Sequence, residues 1–131
     1  MLRCDDRAVS QTVLIVDDHA GFRSWTRSLL EEEGFLVVGE TADGASAVVA
    51  TQDLSPDVVM LDVMLPDASG FEVSQRLAAL TKPPLVVLIS SREAGDYGDA
   101  IGHSAALGFI SKSELSGHRL RALLGGRRDG H

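Results

Sequence analysis

Acidic, hydroxyl and amine side chains follow four of the short apolar segments of this chain. Two aspartates follow the first segment, a third follows the next but one, and a serine and a lysine follow the last two: Asp17, Asp18, Asp62, Ser90 and Lys112. Carboxylates that lie close together repel one another unless a cation lies among them. Oxygen ligands from one or two carboxylates suit Mg²⁺, which also binds phosphate oxygens. These residue types therefore indicate phosphoryl transfer, provided that the fold brings them together.

Each residue type has a role in such a site. Asp62 is the candidate nucleophile, which would form an aspartyl phosphate. Mg²⁺ and the ammonium of Lys112 would offset the phosphoryl charge, and the Ser90 hydroxyl would donate to one phosphoryl oxygen. His19 follows the acidic pair, but a carboxylate nucleophile needs no general base, so we interpret His19 as a polar loop residue.

The elements that would position these residues alternate between strand length and helix length. Continuous runs of Val, Ile and Leu predict five strands, over residues 12–16, 35–39, 57–61, 85–89 and 108–110. The segments between and after them predict helices over residues 21–33, 44–52, 69–80, 94–106 and 113–124. Three glycines make the fourth of these helices the weakest, and we expect it to be the most mobile element.

This alternation predicts an α/β fold of successive βαβ units around a parallel sheet. Right-handed crossovers place the carboxyl ends of the strands along one edge, where ligands of open parallel sheets bind. We therefore expect the site residues to converge at this edge. One domain would cover residues 12–124, flanked by disordered segments at residues 1–11 and 125–131.

Composition and charge exclude several classes of protein. With 131 residues, of which 44% are hydrophobic, the chain is one domain in length. Its formal net charge of −7 is opposite in sign to that of nucleic-acid-binding domains. No apolar stretch is long enough to cross a membrane or to form a signal peptide, and the single Cys4 cannot form an internal disulfide. We therefore expect a cytoplasmic protein.

The segments around the site residues resemble the receiver domain of two-component response regulators. The resemblance rests on the segments VLIVDDH, VVMLDVMLPDASG, VVLIS and GFISKS, and it covers residues 12–124. VDDHAGFRSW and VVGETADG are similar to the branch that is often fused to LuxR-type helix-turn-helix domains. The resemblance implies a flavodoxin-like (βα)5 fold, doubly wound in three layers, with a five-stranded parallel sheet of order 2-1-3-4-5.

The resemblance also implies roles for individual residues. Asp62 matches the phosphoacceptor, Ser90 the switch hydroxyl and Lys112 the lysine that pairs with the phosphate. Phe109 matches the aromatic residue that changes rotamer when the switch hydroxyl moves. The implied Mg²⁺ ligands are the carboxylates of the acidic pair and the phosphoacceptor, with one backbone carbonyl: Asp17, Asp18, Asp62 and Met64.

The partners of the family are implied in the same way. The phosphoryl group would come from a sensor histidine kinase, a phosphotransfer protein or a small phosphodonor. The signal would leave through the face of the fourth helix, fifth strand and fifth helix, to a downstream effector protein or a second copy of the chain. Such a protein is a signalling module rather than an enzyme. Too few residues follow Lys112 for a DNA-binding domain, so we expect a stand-alone receiver or a piece of a longer regulator.

Two alternatives remain open. A pseudo-receiver or flavodoxin-like interaction module would keep the fold without being phosphorylated. A Mg²⁺-dependent phosphatase of the haloacid dehalogenase type also uses an aspartate nucleophile at a strand end. That class needs a second aspartate two residues later, where this chain has Met64, and a cap insertion that this chain does not show.

Overall fold

A parallel sheet organises the chain. The structure is a computed structural model that describes residues 11–129. Its strands are β1 Thr12–Val16, β2 Leu36–Thr41, β3 Val58–Asp62, β4 Leu85–Ser90 and β5 Gly108–Ser111. The five strands are ordered β2-β1-β3-β4-β5, and all neighbours are parallel. The predicted fold class and strand order are confirmed.

Helices cover both faces of this sheet. The α-helices are α1 Ala20–Glu32, α2 Gly44–Leu54, α3 Gly70–Ala78 and α4 Gly117–Asp129. Strand side chains alternate between the faces, so Val13 and Ile15 pack in the core under α1 and α4, while Leu14 and Val16 pack in the core under α2 and α3. Both faces of the sheet are apolar because helices pack on each of them. No described helix combines the length and the apolar character needed to cross a membrane.

The segment 94–106 is not an α-helix, and the prediction of one there was wrong. Only Ala94–Tyr97 forms a short 3₁₀ helix, and turns and bends follow it. Residues 91–99 are exposed except for Tyr97, so they offer no apolar stripe that could pack a helix against the sheet. Gly98 has a φ of 59°, in the left-handed region that right-handed helices do not use.

The last helix also differs from its prediction over residues 113–124. A 3₁₀ turn, Lys112–Glu114, precedes it, and α4 begins at Gly117 and continues to Asp129. A glycine pair near its end lowers helix propensity by about 1 kcal/mol per residue but does not forbid helical backbone angles. The backbone of residues 125–129 is therefore helical where a disordered tail was predicted. Residues 1–10, with Cys4, and residues 130–131 lie outside the described part of the chain.

Candidate functional site

The carboxyl ends of four strands bring the predicted site residues to one edge of the sheet. The residues end or follow their strands: Asp17 and Asp18 after β1, Asp62 in β3, Ser90 in β4 and Lys112 after β5. The register aligns them, because Asp62 pairs with Ile89, the residue before Ser90. Ser90 in turn pairs with Ser111, the residue before Lys112. The topology thus assembles a site from residues far apart in sequence.

Lys112 links the two buried aspartates of this edge. Its Nζ lies 2.6 Å from Oδ2 of Asp17 and 3.4 Å from Oδ2 of Asp62. Asp17 is fully buried and Asp62 is 4% exposed. The Lys112 Nζ also lies over the ring of Phe22, 4.4 Å from its centroid, in a cation–π contact. The ammonium therefore offsets a pair of like charges that burial would otherwise make unfavourable.

Burial makes Asp62 hold a proton more readily than an ordinary aspartate. It raises the pKa of Asp62 to about 6, and the charge of Asp17 acts in the same direction, while the Met64 N–H and Lys112 oppose it. Burial tends to lower the pKa of Lys112, but the hydrogen bonds and charges of Asp17 and Asp62 outweigh this and raise it. The charge of Asp62 therefore changes in the mildly acidic range.

Four side chains at this edge could share one cation. Asp17, Asp18, His19 and Asp62 each offer one ligand atom within 4.8 Å of the others. Nδ1 of His19 lies 3.2 Å from Oδ1 of Asp17 and 3.1 Å from Oδ1 of Asp18. Three carboxylates are a donor set that fits Mg²⁺. Sequence reasoning placed His19 in the loop without a role, although its position next to the acidic pair was the signal that it would join the cluster.

A second charged network holds the loop that carries Asp17. Nη1 of Arg23 in α1 donates to the backbone oxygen of Asp17 at 2.5 Å, and its Nε donates to Glu40 in β2 at 3.1 Å. Arg27 donates to the other Glu40 oxygen at 2.7 Å. Hydrogen bonds from Arg27 and then Arg23 lower the pKa of Glu40. Sequence reasoning missed this network, because only the pairing of β2 with β1 brings Glu40 close to α1.

The loop after Asp62 is held at both of its ends. The Met64 N–H donates to Oδ1 of Asp62 at 3.1 Å, while the Met64 side chain is 56% exposed. Asp67 accepts from the first two amides of α2, those of Gly44 and Ala45, at 2.8 and 3.0 Å. This carboxylate fixes the loop to the neighbouring helix, which leaves the Met64 backbone beside Asp62.

A tyrosine that sequence reasoning did not single out connects the predicted switch residues. Oγ of Ser90 lies 2.5 Å from the Tyr97 hydroxyl and accepts from the Arg92 N–H at 3.1 Å. The Tyr97 ring contacts the Phe109 ring edge to face, with the centroids 5.8 Å apart. Tyr97 was missed because it lies in the segment for which a helix was predicted, where nothing in the sequence links it to Ser90.

Comparisons with known proteins agree with this arrangement. Residues 13–124 match the family described as the response regulator receiver domain. A transcriptional regulator of Pseudomonas aeruginosa is 37% identical over 102 residues, and the transcription regulator BvgA of Bordetella pertussis is 36% identical over 102 residues. Each match covers 78% of this chain and 49% of the relative, so the chain spans about half the length of these curated relatives.

A solved structure shows the same similarity. The signal receiver domain of the response regulator NarL from Mycobacterium tuberculosis is 31% identical, with a TM-score of 0.73. The match covers 88% of this chain and 98% of that one. The similarity therefore extends over the whole sheet and over the edge at which the site residues meet.

Proposed function

The chain belongs to the family of response regulator receiver domains of two-component systems, and we propose that it is phosphorylated on Asp62. The donor would be a phosphohistidine of a sensor histidine kinase or phosphotransfer protein, or a small phosphodonor. The observation that carries the proposal is the position of Lys112 Nζ, 2.6 Å from Asp17 and 3.4 Å from Asp62. A fixed cation beside the nucleophile stabilises charge where the phosphoryl oxygens would lie.

The transfer step uses a carboxylate oxygen of Asp62 as the nucleophile. This oxygen forms a bond to phosphorus while the bond from phosphorus to the donor's imidazole nitrogen, or to the acyl oxygen of a small donor, breaks. The Met64 N–H holds Oδ1 of Asp62 at 3.1 Å, and Lys112 lies on the side of Oδ2. The backbone and the lysine thus orient the carboxylate, and Ser90 supplies a hydroxyl donor for the product.

Mg²⁺ is the cofactor that this donor set fits. The carboxylates of Asp17, Asp18 and Asp62 would hold it. The family resemblance adds the backbone carbonyl of Met64, two residues after the phosphoacceptor. When bound, the ion neutralises charge on the transferred phosphoryl oxygens. The hydrogen bond from Arg23 to the Asp17 carbonyl keeps the acidic pair in position for this role.

The output surface follows from what lies next to Ser90. We place it on the Ala94–Tyr97 turn, β5 and α4, where the family resemblance implied two helices and the structure has one. Its partner would be a downstream effector protein or a second copy of the chain. The net charge of −7 argues against direct contact of these residues with nucleic acid. The relatives named as transcription regulators are about twice as long as the 102 residues that match. A DNA-binding output would therefore require residues outside the matched segment.

Intact mass spectrometry after incubation with acetyl phosphate tests the proposal. We expect the wild-type protein to gain one phosphoryl group in the presence of Mg²⁺ and none after its removal by a chelator. Asp62→Asn should gain none. Asp53→Asn is the matched control, because it changes an exposed carboxylate near the end of α2, outside the site. It should be phosphorylated like the wild type.

Two results would contradict this assignment. A phosphoryl group gained by Asp62→Asn would place the modification on another residue. No gain in the wild type, with acetyl phosphate or with a phosphohistidine donor protein, would favour an interaction module that keeps the fold without the chemistry.

A further inference from the structure

Tyr97 is the one residue of the exposed stretch 91–99 that reaches inward. The Ala94–Tyr97 turn has no buried residue, and Tyr97 itself is half-buried while its neighbours in this stretch are exposed. Its hydroxyl lies 2.5 Å from Oγ of Ser90, which ends β4 and is 1% exposed. This contact therefore connects the Ala94–Tyr97 turn, in the fourth crossover (residues 91–107), to the site.

The Ser90 hydroxyl makes two hydrogen bonds in this arrangement. A serine hydroxyl has one proton to donate and two lone pairs to accept with. Oγ of Ser90 accepts from the Arg92 N–H at 3.1 Å and shares a hydrogen bond with the Tyr97 hydroxyl at 2.5 Å. If Ser90 turns to donate to a phosphoryl oxygen on Asp62, Oγ moves and cannot keep so short a contact with Tyr97.

We infer that Tyr97 is a positioning residue that holds the Ser90 hydroxyl in the unphosphorylated protein and is released when Asp62 is phosphorylated. This inference deepens the proposed function and depends on it. It assigns to the chain's single tyrosine the connection between the site and the Ala94–Tyr97 turn. The predicted aromatic switch, Phe109, then acts through the Tyr97 ring, which it contacts edge to face, because a phenyl ring has no group that could hydrogen-bond to Ser90.

The surroundings of Tyr97 allow its ring to move. The ring lies between Phe71 and Phe109, edge to face with both, at centroid distances of 5.5 and 5.8 Å. Such contacts are directional but individually weak. On one side, a cavity of about 530 Å³ is lined by Tyr97 together with Phe71, Met64 and Arg92. Release of the hydroxyl would let the ring shift along this cavity and carry the exposed turn with it.

The single tyrosine makes the hydrogen bond directly observable. Protein labelled with ¹³C at the tyrosine ring carbon that bears the oxygen gives one resonance, whose position responds to hydrogen bonding of the hydroxyl. We expect Ser90→Ala to shift this resonance without any phosphodonor. We expect phosphorylation of the wild type, monitored by intact mass in the same sample, to shift it as well. Phosphodonor added to Asp62→Asn, or to Ser90→Ala, should cause no such shift.

The outcomes separate this inference from the proposed function. A wild-type sample that gains the phosphoryl group without a shift of the tyrosine resonance would overturn the release while the proposed function stands. A resonance unmoved by Ser90→Ala would overturn the holding contact, whatever the mass shows. A sample that gains no phosphoryl group would contradict the proposed function and, with it, the release.

A pair of substitutions at Tyr97 separates the hydroxyl from the ring. Tyr97→Phe keeps the aromatic contacts and removes the hydrogen bond, so Ser90 is free to turn towards the phosphoryl group. We expect its phosphorylated fraction at sub-saturating acetyl phosphate to exceed that of the wild type by about 5-fold, the equivalent of one ordinary hydrogen bond. Tyr97→Leu removes both ring and hydroxyl and shows the effect of lost packing. A Tyr97→Phe protein that behaves like the wild type would overturn the inference.

Discussion

The third and fourth crossovers of this fold make the same kind of connection with very different structures. Residues 63–84 lead from β3 to β4 through α3, in which Val73 and Leu77 are fully buried. Residues 91–107 lead from β4 to β5 through one 3₁₀ turn without a buried residue. A segment with few buried apolar contacts opens at a lower free-energy cost than one that carries part of the core. The site thus lies between the third crossover, which is packed into the core, and the fourth, which has few buried contacts.

Local sequence explains the difference between the two crossovers. Ser69 caps α3 and forms a capping box with Glu72, in which each side chain accepts from the other's backbone N–H. A similar box, between Glu93 and Asp96, begins the Ala94–Tyr97 turn, but no residue of that turn is buried and Gly98, directly after it, has a positive φ. A cap stabilises a helix only where packing continues it.

This difference matches two tasks at the site. The third crossover fixes the backbone beside Asp62, the residue proposed to accept the phosphoryl group. The fourth contacts the Ser90 hydroxyl through the Tyr97 hydroxyl and the Arg92 backbone N–H, and of these two residues only Tyr97 contacts it with a side chain. With a rigid third crossover and a mobile fourth one, phosphorylation of Asp62 could alter the surface of the fourth crossover while the rest of the fold stays in place.

Replacing one glycine in each crossover by alanine should give the largest difference in the free energy of unfolding between the two crossovers. A Cβ at Gly70, the first residue of α3, would lie 2.6 Å from the Asp62 carbonyl oxygen and 2.8 Å from Val63 Cα. Backbone atoms cannot move aside as a side chain can, so we expect Gly70→Ala to lower the free energy of unfolding by about 3 kcal/mol. Gly95, in the fourth crossover, has nothing within 4 Å of its Cβ position, and Gly95→Ala should change stability by about 0.5 kcal/mol or less.

Urea unfolding of the two variants beside the wild type measures both values. The phosphorylated fraction is a second measurement. We expect it to fall in Gly70→Ala, because this substitution moves the backbone of Asp62, and to stay unchanged in Gly95→Ala. Equal losses of stability in the two variants would show that the fourth crossover is packed as firmly as the third.

The sequence predicted the sheet well because buried parallel strands are apolar on both faces. β1 was predicted to the residue, at Thr12–Val16. β3 and β4 end one residue later than predicted, on Asp62 and Ser90, because these polar residues remain in the sheet where the site buries them. The fourth crossover was predicted wrongly because a segment of helical length was taken for a helix, although Gly95, Gly98 and Gly102 lower its helix propensity.

The site shows a similar limit. Residue types and strand ends were enough to bring Asp17, Asp62 and Lys112 to one place, because the topology of parallel sheets dictates where strand ends meet. Tyr97 and the pair of Glu40 with Arg23 could not be foreseen, since each depends on a distance between side chains of different elements. The roles of all these residues stay predictions until phosphorylation is measured.

The pH dependence of stability tests how firmly the third crossover holds Asp62. Burial raises the pKa of Asp62 to about 6 in the folded protein. The folded state therefore binds more protons than the unfolded state between about pH 4 and 6, and the free energy of unfolding falls as pH rises through this window. At pH 7 without metal, Asp62→Asn should be more stable than the wild type by about 2 kcal/mol, and the difference should shrink towards pH 4.

Asp67, five residues after Asp62, should change the pH dependence of the free energy of unfolding in the opposite direction. Hydrogen bonds from the Gly44 and Ala45 amides lower the pKa of Asp67, so its contribution to stability is present above its ordinary pKa and lost as pH falls. Asp67→Asn should thus be less stable than the wild type at pH 7 and approach it in acid. Unfolding curves in chelator from pH 4 to 7 measure both variants. If both variants were more stable than the wild type at pH 7, or both less stable, this would contradict the view that Asp67 stabilises the loop while burial of charged Asp62 destabilises it.

The smallest effect concerns the two capping boxes. Ser69→Ala removes the side chain that accepts from the Glu72 N–H at 3.2 Å, and since α3 carries Val73 and Leu77 into the core, we expect a loss of about 1 kcal/mol. Asp96→Ala removes the reciprocal contact of the other box, in which Asp96 accepts from the Glu93 N–H at 3.0 Å. No core depends on that turn, so the loss should stay within about 0.5 kcal/mol. Urea unfolding of both variants measures the difference. Because the two boxes contain similar hydrogen bonds, a larger loss in Asp96→Ala would mean that the fourth crossover contributes to folding stability and does not merely follow Ser90.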